Sequence, residues 1–435
     1  MRYAKVREIC DTFAVESIQA VAEAFTEELE KALQNQSSSL KILPSYLSSP
    51  SGQERGDYIA IDFGGTNVRV MLISLLGNGR YAIGKRMGRP LADAARSYDL
   101  TAPDATGEEL FAFVAELVEN VLDAERDYAL GLTFSYPMRQ DAIDKACLIE
   151  WTKEIKTSAT AGRDIKSMLS QALRGRGLHR INPVAIINDT VAAFMAGAYS
   201  HPDVCMGSIC GTGHNTCYRE ASLYTDAGLP MVVNIEAGNF SLAAGNPYDR
   251  FLDSSSLDPG KQLFEKMVSG KYMGELFRLL LLDLVDKKLL PAMHSAEASI
   301  SRPFVAGAEI LNWLSVDGPA ERVYIDNWLN EHGFPPYQND DREILAMAAN
   351  AILNRAIRLI AASFQAVLSR ATDKQSDLAV AIDGSVFEKI PGFSRKIEML
   401  LNQNLPGSTI KLIHTAHGSN IGAAVAAAQK AVFSL

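Results

Sequence analysis

The chain has 435 residues, of which 47% are hydrophobic and 21% are charged, and its net charge is −9 at pH 7. This composition is typical of a globular protein, and the length predicts two or more domains. Because nucleic-acid-binding proteins neutralise phosphates with clustered Lys and Arg, the acidic balance argues against a nucleic-acid partner.

Three features bear on the compartment in which the chain works. The first 36 residues lack the apolar core of about 7–15 residues that a secretory signal carries. The most apolar stretch, residues 276–290, contains five charged residues and is predicted not to span a bilayer. The five cysteines include no C-x-x-C pair, so we expect reduced, mostly buried thiols and no zinc site. A cytoplasmic protein without a membrane partner is therefore expected.

The predicted elements begin with an amphipathic helix. Over residues 13–34, apolar side chains recur at a spacing of three to four positions, with acidic residues between them. Residues 34–56 are rich in Ser, Pro and Gly and are predicted to form a connector.

A Gly-Gly-Thr turn then separates two apolar runs within residues 58–74, which predicts a β-hairpin with its chemistry at the turn. Gly64 and Gly65 allow backbone N–H groups to crowd an anion, and Thr66 adds a hydroxyl donor, so the turn suits phosphate binding. Asp62 stands just before the turn and could hold Mg²⁺ through water. A purely structural turn is the alternative.

Residues 79–86 imitate a P-loop. They match G-x-x-x-x-G-K, but Arg86 stands where a P-loop needs Ser or Thr. Gly88 and Pro90 also disfavour the helix that must follow. We therefore expect no P-loop here.

Strands and helices alternate through the rest of the chain, which predicts an α/β fold. Further strands are predicted over residues 128–135 and 183–187, and a strand followed by a turn is predicted over residues 378–386. Helices are predicted over residues 107–124, 162–173, 190–199, 260–290, 344–371 and 419–435.

The segment Asn188-Asp189-Thr190 follows one of these strands. At a strand end, where α/β proteins form ligand sites, the Asp189 carboxylate could accept a proton from an alcohol that attacks a γ-phosphate. The alternative is that Asp189 or Thr190 only caps the next helix.

A second glycine turn, Gly211-Thr212-Gly213, lies between two apolar runs within residues 206–218. Together with Asp383-Gly384-Ser385, it favours a nucleotide cleft over isolated structural turns. We interpret the two hairpins as a weak internal duplication, in which two α/β halves each offer one turn to a shared cleft. A chance pair of glycine-rich hairpins is the alternative.

Taken in order, these segments resemble the hexokinase family of eukaryotic type, which includes glucokinase. The matching motifs run from about residue 57 to residue 428 in family order. They are Asp62-Phe-Gly-Gly-Thr-Asn-Val-Arg69, Leu132-Thr-Phe-Ser-Tyr-Pro137, Trp151-Thr-Lys153, Ile187-Asn-Asp-Thr-Val191, Gly211-Thr-Gly-His-Asn215, Asn234-Ile-Glu236, residues 259–275, Asp383-Gly-Ser385 and residues 418–424.

The resemblance implies a two-domain, actin-like (ribonuclease H-like) fold with an interdomain cleft that holds glucose or a related hexose and MgATP. It implies a small domain of residues 57–187, completed by residues 419–435, and a large domain of residues 188–418. Residues 1–56 would pack on the large domain. The oligomeric state does not follow from it.

The resemblance also implies roles for individual residues. Asp189 would be the base for the 6-hydroxyl of the sugar, and Lys153 would offset charge near the transferring phosphoryl group. The implied sugar contacts are Ser135, Thr152, Lys153, Asn188, Asp189, Asn215, Glu236 and Glu265. The implied nucleotide contacts are Asp62, Gly64, Gly65, Thr66, Asn67, Arg69, Thr212, Gly384, Ser385 and Ser419, with Asp62 bound to Mg²⁺ through water.

The chain departs from the family's usual motifs at four positions. Glu154 and Ala237 are expected to reshape the sugar pocket, and His417 stands where an Asp on the nucleotide side is usual. His214 either contacts the nucleotide and makes its binding pH-sensitive or, as we favour, is a surface variant beside a backbone-driven site.

Three functions remain open on the sequence alone. The first is an ATP-dependent hexokinase that makes hexose 6-phosphate and ADP. The second is a non-catalytic sugar-sensing or regulatory protein on the same scaffold, and the third is a kinase of another acceptor, such as an amino sugar or glycerol. The complete set of catalytic residues favours the first.

Overall fold

The structure is a computed structural model that describes residues 2–123, 126–152, 155–241, 245–290, 297–316, 318–334, 338–371 and 377–432. The strands are β1 Leu43–Pro44, β2 Arg55–Phe63, β3 Asn67–Gly77, β4 Arg80–Pro90, β5 Ala92–Asp93, β6 Tyr98–Asp99, β7 Tyr128–Phe134, β8 Met138–Ala142, β9 Lys145–Leu148, β10 Ile181–Ile187, β11 Val204–Cys210, β12 His214–Tyr224, β13 Pro230–Asn234, β14 Asp377–Asp383 and β15 Thr409–His414.

The helices are α1 Arg2–Asp11, α2 Ile18–Leu33, α3 Gly107–Val121, α4 Ile165–Gly175, α5 Asp189–Ser200, α6 Pro247–Ser254, α7 Leu263–Val268, α8 Gly270–Asp286, α9 Glu297–Ile300, α10 Ala308–Val316, α11 Pro319–Glu331, α12 Asn339–Ala371, α13 Ser385–Lys389, α14 Phe393–Asn404 and α15 Gly418–Val432. Short 3₁₀ turns lie at Ala94–Arg96 and Ala237–Asn239.

Two mixed sheets have the same topology. The first has the order β10-β7-β2-β3-β4, and the second has the order β15-β14-β11-β12-β13 with β1 added at its edge. In each, the first three strands in chain order form an antiparallel meander, and the last two add in parallel on the other side. The predicted internal duplication and the α/β fold are therefore confirmed.

Each meander begins with a hairpin that carries a glycine turn. Strand β2 pairs with β3 up to Phe63 and Val68, so the turn covers residues 64–67. Strand β11 pairs with β12 up to Cys210 and His214, so the second turn covers residues 211–213. Residues 79–86, which partly match the P-loop motif, lie in the β3–β4 hairpin and continue as a strand where a P-loop would start a helix. The prediction that they form no P-loop is therefore confirmed.

Helices α5 and α15 connect the two halves. Helix α5 follows the first sheet but packs on β11 and β14 of the second, and α15 follows the second sheet but packs on β2 and β7 of the first. The two helices also pack on each other, and one buried cluster, which includes Val191, Ala192, Ile421 and Ala424, fills the contact. Since each helix is shared in this way, the predicted domain boundaries stay a prediction.

The N-terminal segment differs in part from the predicted single helix over residues 13–34. The predicted helix is α2, which begins only at Ile18 because Ser17 is extended and its hydroxyl accepts the N–H of Ala20. The separate helix α1 before it was not predicted. Both helices pack on α12. The connector contributes β1, which pairs with β13.

The C-terminal half contains the other corrections. The helix predicted over residues 260–290 is two helices, α7 and α8, because Ser269 between them is extended. Other elements of this half were not predicted, among them β13, β15, α6, α10, α11 and α14. The long helix α12 is apolar enough to cross a membrane by length and composition, but 67% of its most apolar window is buried inside the protein, as expected of a core helix. The predicted helix ends at residues 124 and 433–435 lie outside the described residues.

Candidate active site

Asp189 is the first residue of α5, but it does not supply the helix cap. Asn188 does so: its Oδ1 accepts the backbone N–H of Thr190 at 2.8 Å and the Thr190 hydroxyl at 2.6 Å. The Asp189 carboxylate accepts the same N–H at 2.9 Å and is half-buried. Capping, the alternative to a chemical role, is therefore met by the neighbouring residue.

Charges from three segments meet near Asp189. Its carboxylate raises the pKa of Glu236, which follows β13, and the pKa of Asp383, at the end of β14, although burial is the larger cause in both. Burial raises the pKa of Asp383 to about 6, and the charge of Asp62 adds to the effect. Asp62, Asp189 and Asp383 thus converge from both halves of the molecule.

The carboxylates of Asp62, Asp189 and Asp383 suit a divalent cation bound together with a nucleotide. Asp62 is buried at the end of β2 and pairs with Arg69 at 3.0 Å, and the charge of His414 partly opposes the rise in the pKa of Asp383. The described residues contain no group of three His, Cys, Asp or Glu side chains arranged to hold a metal ion. This donor set suits Mg²⁺, which is commonly bound by one or two carboxylates, waters and substrate phosphates.

The first glycine turn is stabilised by hydrogen bonds within the turn and by one from a buried side chain. The N–H of Gly64 donates to the carbonyl of Asn67 at 3.1 Å, and the Asn67 amide donates to the Thr66 hydroxyl at 2.9 Å. The hydroxyl of Tyr136 donates to the Gly64 carbonyl at 2.9 Å. Gly64 and Gly65 are half-buried and Thr66 is exposed, so the outer side of the turn is open.

The second turn lies against the segment that follows β14. Gly384 has φ +128°, and a Cβ on it would stand 2.5 Å from the Cys210 carbonyl, so glycine is required there. Helix α13 begins at the next residue, Ser385. The N–H of Lys271 donates to the Thr212 carbonyl at 3.3 Å. This close packing brings the turn at 211–213 and Ser385 to one place.

Ser419 is the second residue of α15. Its carbonyl accepts the Thr133 hydroxyl at 2.8 Å, which ties α15 to β7 of the first sheet. A Cβ on the preceding Gly418 would lie 3.1 Å from the Asp383 carboxylate, so this helix N-terminus adjoins the converging carboxylates.

Asn215 and Glu236 form a direct pair. The Asn215 amide donates to Glu236 at 3.1 Å, the Asn234 amide donates to the same oxygen at 2.7 Å, and the Asn215 oxygen accepts the N–H of Ala237 at 3.1 Å. Glu236 has φ +49°, an uncommon backbone conformation for a non-glycine residue. Burial raises its pKa, while the two amide donors oppose that shift.

Glu265 and Ser135 approach the two turns. Glu265, on α7, accepts the backbone N–H of His214 at 2.9 Å and lies against Gly213, so it connects the second turn to the Asn215 pair. Ser135 follows β7, is half-buried, and its N–H donates to the carbonyl of Phe63 beside the first turn at 3.4 Å.

Thr152 follows an anchored tryptophan. The indole N–H of Trp151 donates to the Thr157 carbonyl at 3.0 Å and to the Thr160 hydroxyl at 2.7 Å. Thr152 is half-buried. Lys153 and Glu154 lie outside the described residues, so the assignments made for them stay predictions.

Two of the departures have a different meaning from the one expected. His214 is not on the surface: it is 3% exposed, its ring stacks on Phe364, and burial lowers its pKa to about 4. Ala237 is fully buried in the large core, so it can affect a pocket only through packing. His417 is exposed with φ +58°, a conformation that His tolerates better than most residues.

Three residues near the site were not singled out from the sequence. Asp383 was noted only as part of a turn, although its place at a strand end was a usable signal. The hydrogen bonds of the Tyr136 hydroxyl and the Asn420 amide could not be predicted, because their partners are distant in sequence. The Asn420 amide donates to the carbonyls of Ala60 and Arg69 at 3.0 and 3.2 Å, which fixes α15 on the β2–β3 hairpin.

Comparisons with known proteins agree with this geometry. Two hexokinase family profiles match residues 5–199 and 205–429. The chain is 30% identical to human Hexokinase-2 over 95% of its length and 32% identical to mouse Hexokinase-1 over 93%. It spans about half the length of these relatives, 46% and 43% respectively.

Solved structures agree as well. A hexokinase crystal structure superimposes with a TM-score of 0.87 and 28% identity, and the hexokinase from Schistosoma mansoni complexed with glucose superimposes with a TM-score of 0.83 and 29% identity. Both alignments cover 98% of this chain and 99% of the other. The predicted actin-like fold is therefore confirmed, and the chain belongs to the hexokinase family.

Proposed function

We propose that this protein is an ATP-dependent hexokinase that transfers the γ-phosphoryl group of MgATP to the 6-hydroxyl of glucose or a related hexose. The observation that carries the proposal is the position of Asp189. Its carboxylate is half-buried, shares the Thr190 N–H with the capping oxygen of Asn188, and interacts with the charges of Glu236 and Asp383. Membership of the hexokinase family and the likeness to a glucose complex support the choice of a hexose.

In this reaction Asp189 accepts the proton of the sugar hydroxyl as the oxygen attacks the γ-phosphorus. The bond from that phosphorus to the bridging oxygen of ADP breaks, and ADP leaves with its electron pair. General-base assistance of this kind contributes about 10²–10⁴-fold. Lys153 is proposed to offset charge on the transferring group.

The sugar is proposed to contact the polar groups gathered around Asp189. Glu236 and Glu265 offer carboxylates, and Asn188 and Asn215 offer amides, so donors and acceptors are both available to hydroxyl groups. Glu236 is already oriented by the amide donors of Asn215 and Asn234. Ser135, Thr152 and Lys153 would complete the contacts from the first half.

The nucleotide is proposed to lie between the two glycine turns. Backbone N–H groups of residues 64–67, with Arg69, would face its phosphates from one half, and Thr212, Gly384 and Ser385 would face it from the other. Ser419 lies at the N-terminus of α15, where partial positive charge favours phosphate. Mg²⁺ would come with the nucleotide and bind Asp62 through water.

We also propose that the protein works in the cytoplasm, without a nucleic-acid or membrane partner. All five cysteines are free thiols, and four of them are buried, which supports a reducing compartment.

The test is a coupled assay of ADP release with glucose, mannose, fructose, glucosamine and glycerol, beside calorimetric binding of glucose. Saturable ADP release with one or more hexoses is expected, together with the 6-phosphate as product. ADP release with glycerol but no hexose would move the assignment to another acceptor. Glucose binding without ADP release from any acceptor would favour a sugar-sensing protein.

A further inference from the structure

Tyr136 lies behind the first glycine turn, in the motif of residues 132–137, and no role was predicted for it. It is 4% exposed, and its ring packs edge-on against Trp151 with the centroids 4.8 Å apart and edge-on against Phe63 at 5.9 Å. Its hydroxyl donates to the Gly64 carbonyl at 2.9 Å. An aromatic cluster therefore fixes the position from which this hydroxyl reaches the turn.

The bond acts on the orientation of one peptide group. The Gly64 carbonyl belongs to the Gly64–Gly65 peptide, and a trans peptide is planar with its N–H pointing opposite to its C=O. No cis peptide bond occurs among the described residues. Because Tyr136 holds the oxygen toward the core, the N–H of Gly65 points the other way, toward the open side of the turn.

Without this hydroxyl, little would hold the peptide in that orientation. Two successive glycines have wide backbone freedom, so a Gly-Gly peptide can rotate at small cost. The other hydrogen bonds of the turn involve other groups. The Gly64 N–H, which belongs to the preceding peptide, donates to the Asn67 carbonyl at 3.1 Å, the Asn67 amide donates to the Thr66 hydroxyl at 2.9 Å, and the Leu91 N–H donates to the Thr66 carbonyl at 2.8 Å. Donation to the carbonyl also polarises the peptide and strengthens its N–H as a donor.

We infer that Tyr136 is a positioning residue that aims the Gly65 N–H at a nucleotide phosphate, an inference that rests on the proposed function. The residue acts through the backbone and does not itself touch the substrate. Its loss should therefore weaken nucleotide binding much more than hexose binding. A general loss of stability would affect both alike.

The experiment compares Tyr136→Phe with Tyr58→Phe. Tyr58 is a buried tyrosine on β2, the strand that leads into the turn. Its hydroxyl also donates to a main-chain carbonyl, that of Arg55 at 3.0 Å, at the end of the strand far from the turn. Each variant loses one hydroxyl and keeps its ring. The KM values for MgATP and hexose, the calorimetric affinity for ADP and for glucose, and the thermal midpoint are measured for both.

For Tyr136→Phe we expect KM for MgATP to rise and ADP affinity to fall by about 3–10-fold, the equivalent of one lost hydrogen bond. Glucose affinity should stay within about twofold, and Tyr58→Phe should change neither. Unchanged ADP affinity in Tyr136→Phe, or an equal loss in Tyr58→Phe, overturns the inference. ADP binding needs no turnover, so this result is independent of whether the hexokinase assignment holds.

Discussion

Asn188 accepts the backbone N–H of Thr190 at 2.8 Å and so caps the helix that begins at Asp189. Of these two adjacent residues, Asn188 stabilises the helix and Asp189 is the one proposed to take part in the reaction. The cap is supplied by an amide that cannot act as a base, and the carboxylate beside it, which shares the same N–H at 2.9 Å, keeps acceptor capacity for the cleft.

Replacement of Asp189 by Asn should therefore remove turnover and spare the fold. The Asn oxygen still accepts the Thr190 N–H, but it cannot take the proton of a sugar hydroxyl, so we expect kcat to fall by about 10²–10⁴-fold. The free energy of unfolding should change by less than about 0.5 kcal/mol. Steady-state kinetics and urea unfolding check both expectations.

Asn188→Ala is the matched control for stability. Loss of the cap should cost about 1 kcal/mol, in contrast to Asp189→Asn. Near-normal kcat in Asp189→Asn would contradict the role of Asp189 as the base. A large loss of stability in that variant would contradict the assignment of the cap to Asn188.

The sequence was sufficient to predict the fold where the local pattern and the tertiary structure agree. The hairpin at residues 58–74 has apolar strands and a glycine turn, and the structure has the same hairpin. The helix break at Ser269 was missed because apolar periodicity continues across it, and the break depends on tertiary contacts of α7 and α8. Strand β15 was missed because it is six residues long and carries polar residues at its exposed positions.

The site could be predicted only as a set of separate segments. Asn215 and Glu236 are 21 positions apart and meet because β12 and β13 are paired, which spacing alone does not show. The interpretation of His214 as a surface residue was wrong for a related reason. A His next to a glycine turn looks exposed in sequence, but its ring enters the core formed with Phe264 and Phe364.

Asp383 should make stability depend on pH. Its pKa is raised from 3.8 to about 6 in the folded protein, chiefly by burial, so the folded state binds more protons than the unfolded state between about pH 4 and pH 6. The ionised carboxylate then costs stability above pH 6 and costs nothing below pH 4. Allowing for screening, we expect a cost of about 1–3 kcal/mol at pH 7.5.

The measurement is the free energy of unfolding of Asp383→Asn minus that of the wild type across this pH range. The difference should favour the variant at pH 7.5 and shrink toward pH 4.5. Mg²⁺ with ADP should reduce it at pH 7.5, because the cation offsets the same charge. A difference independent of pH would show that Asp383 ionises in the folded protein as it does in the unfolded chain.

His214 should make stability depend on pH in the opposite direction to Asp383. Its folded-state pKa is lowered from 6.5 to about 4 by burial, so the unfolded state binds more protons and stability falls as the pH falls from 6.5 to 4. His214→Phe keeps an aromatic ring against Phe264 and removes the titration. The free energy of unfolding of the variant minus that of the wild type should therefore rise by about 2–3 kcal/mol as the pH falls from 7 to 4.

The control for His214 is His179→Gln, which changes an exposed histidine. It should leave the pH dependence of unfolding as it is in the wild type. If His214→Phe loses stability below pH 6.5 as steeply as the wild type, the buried histidine is not the source of the acid sensitivity.

Gly422 sets the distance between the helices that join the two halves. A Cβ at this position in α15 would stand 2.1 Å from the carbonyl oxygen of Ala192 in α5, so Gly422→Ala must push the helices apart. We expect a loss of about 1–3 kcal/mol by urea unfolding. Gly175→Ala on α4 is the control, since a Cβ there meets no atom within 4 Å, and it should be neutral or slightly stabilising.

Gly422→Ala should also lower kcat, because α5 begins at Asp189 and the substitution displaces this helix. Full activity in a destabilised Gly422→Ala variant would show that the base is positioned independently of the contact between α5 and α15.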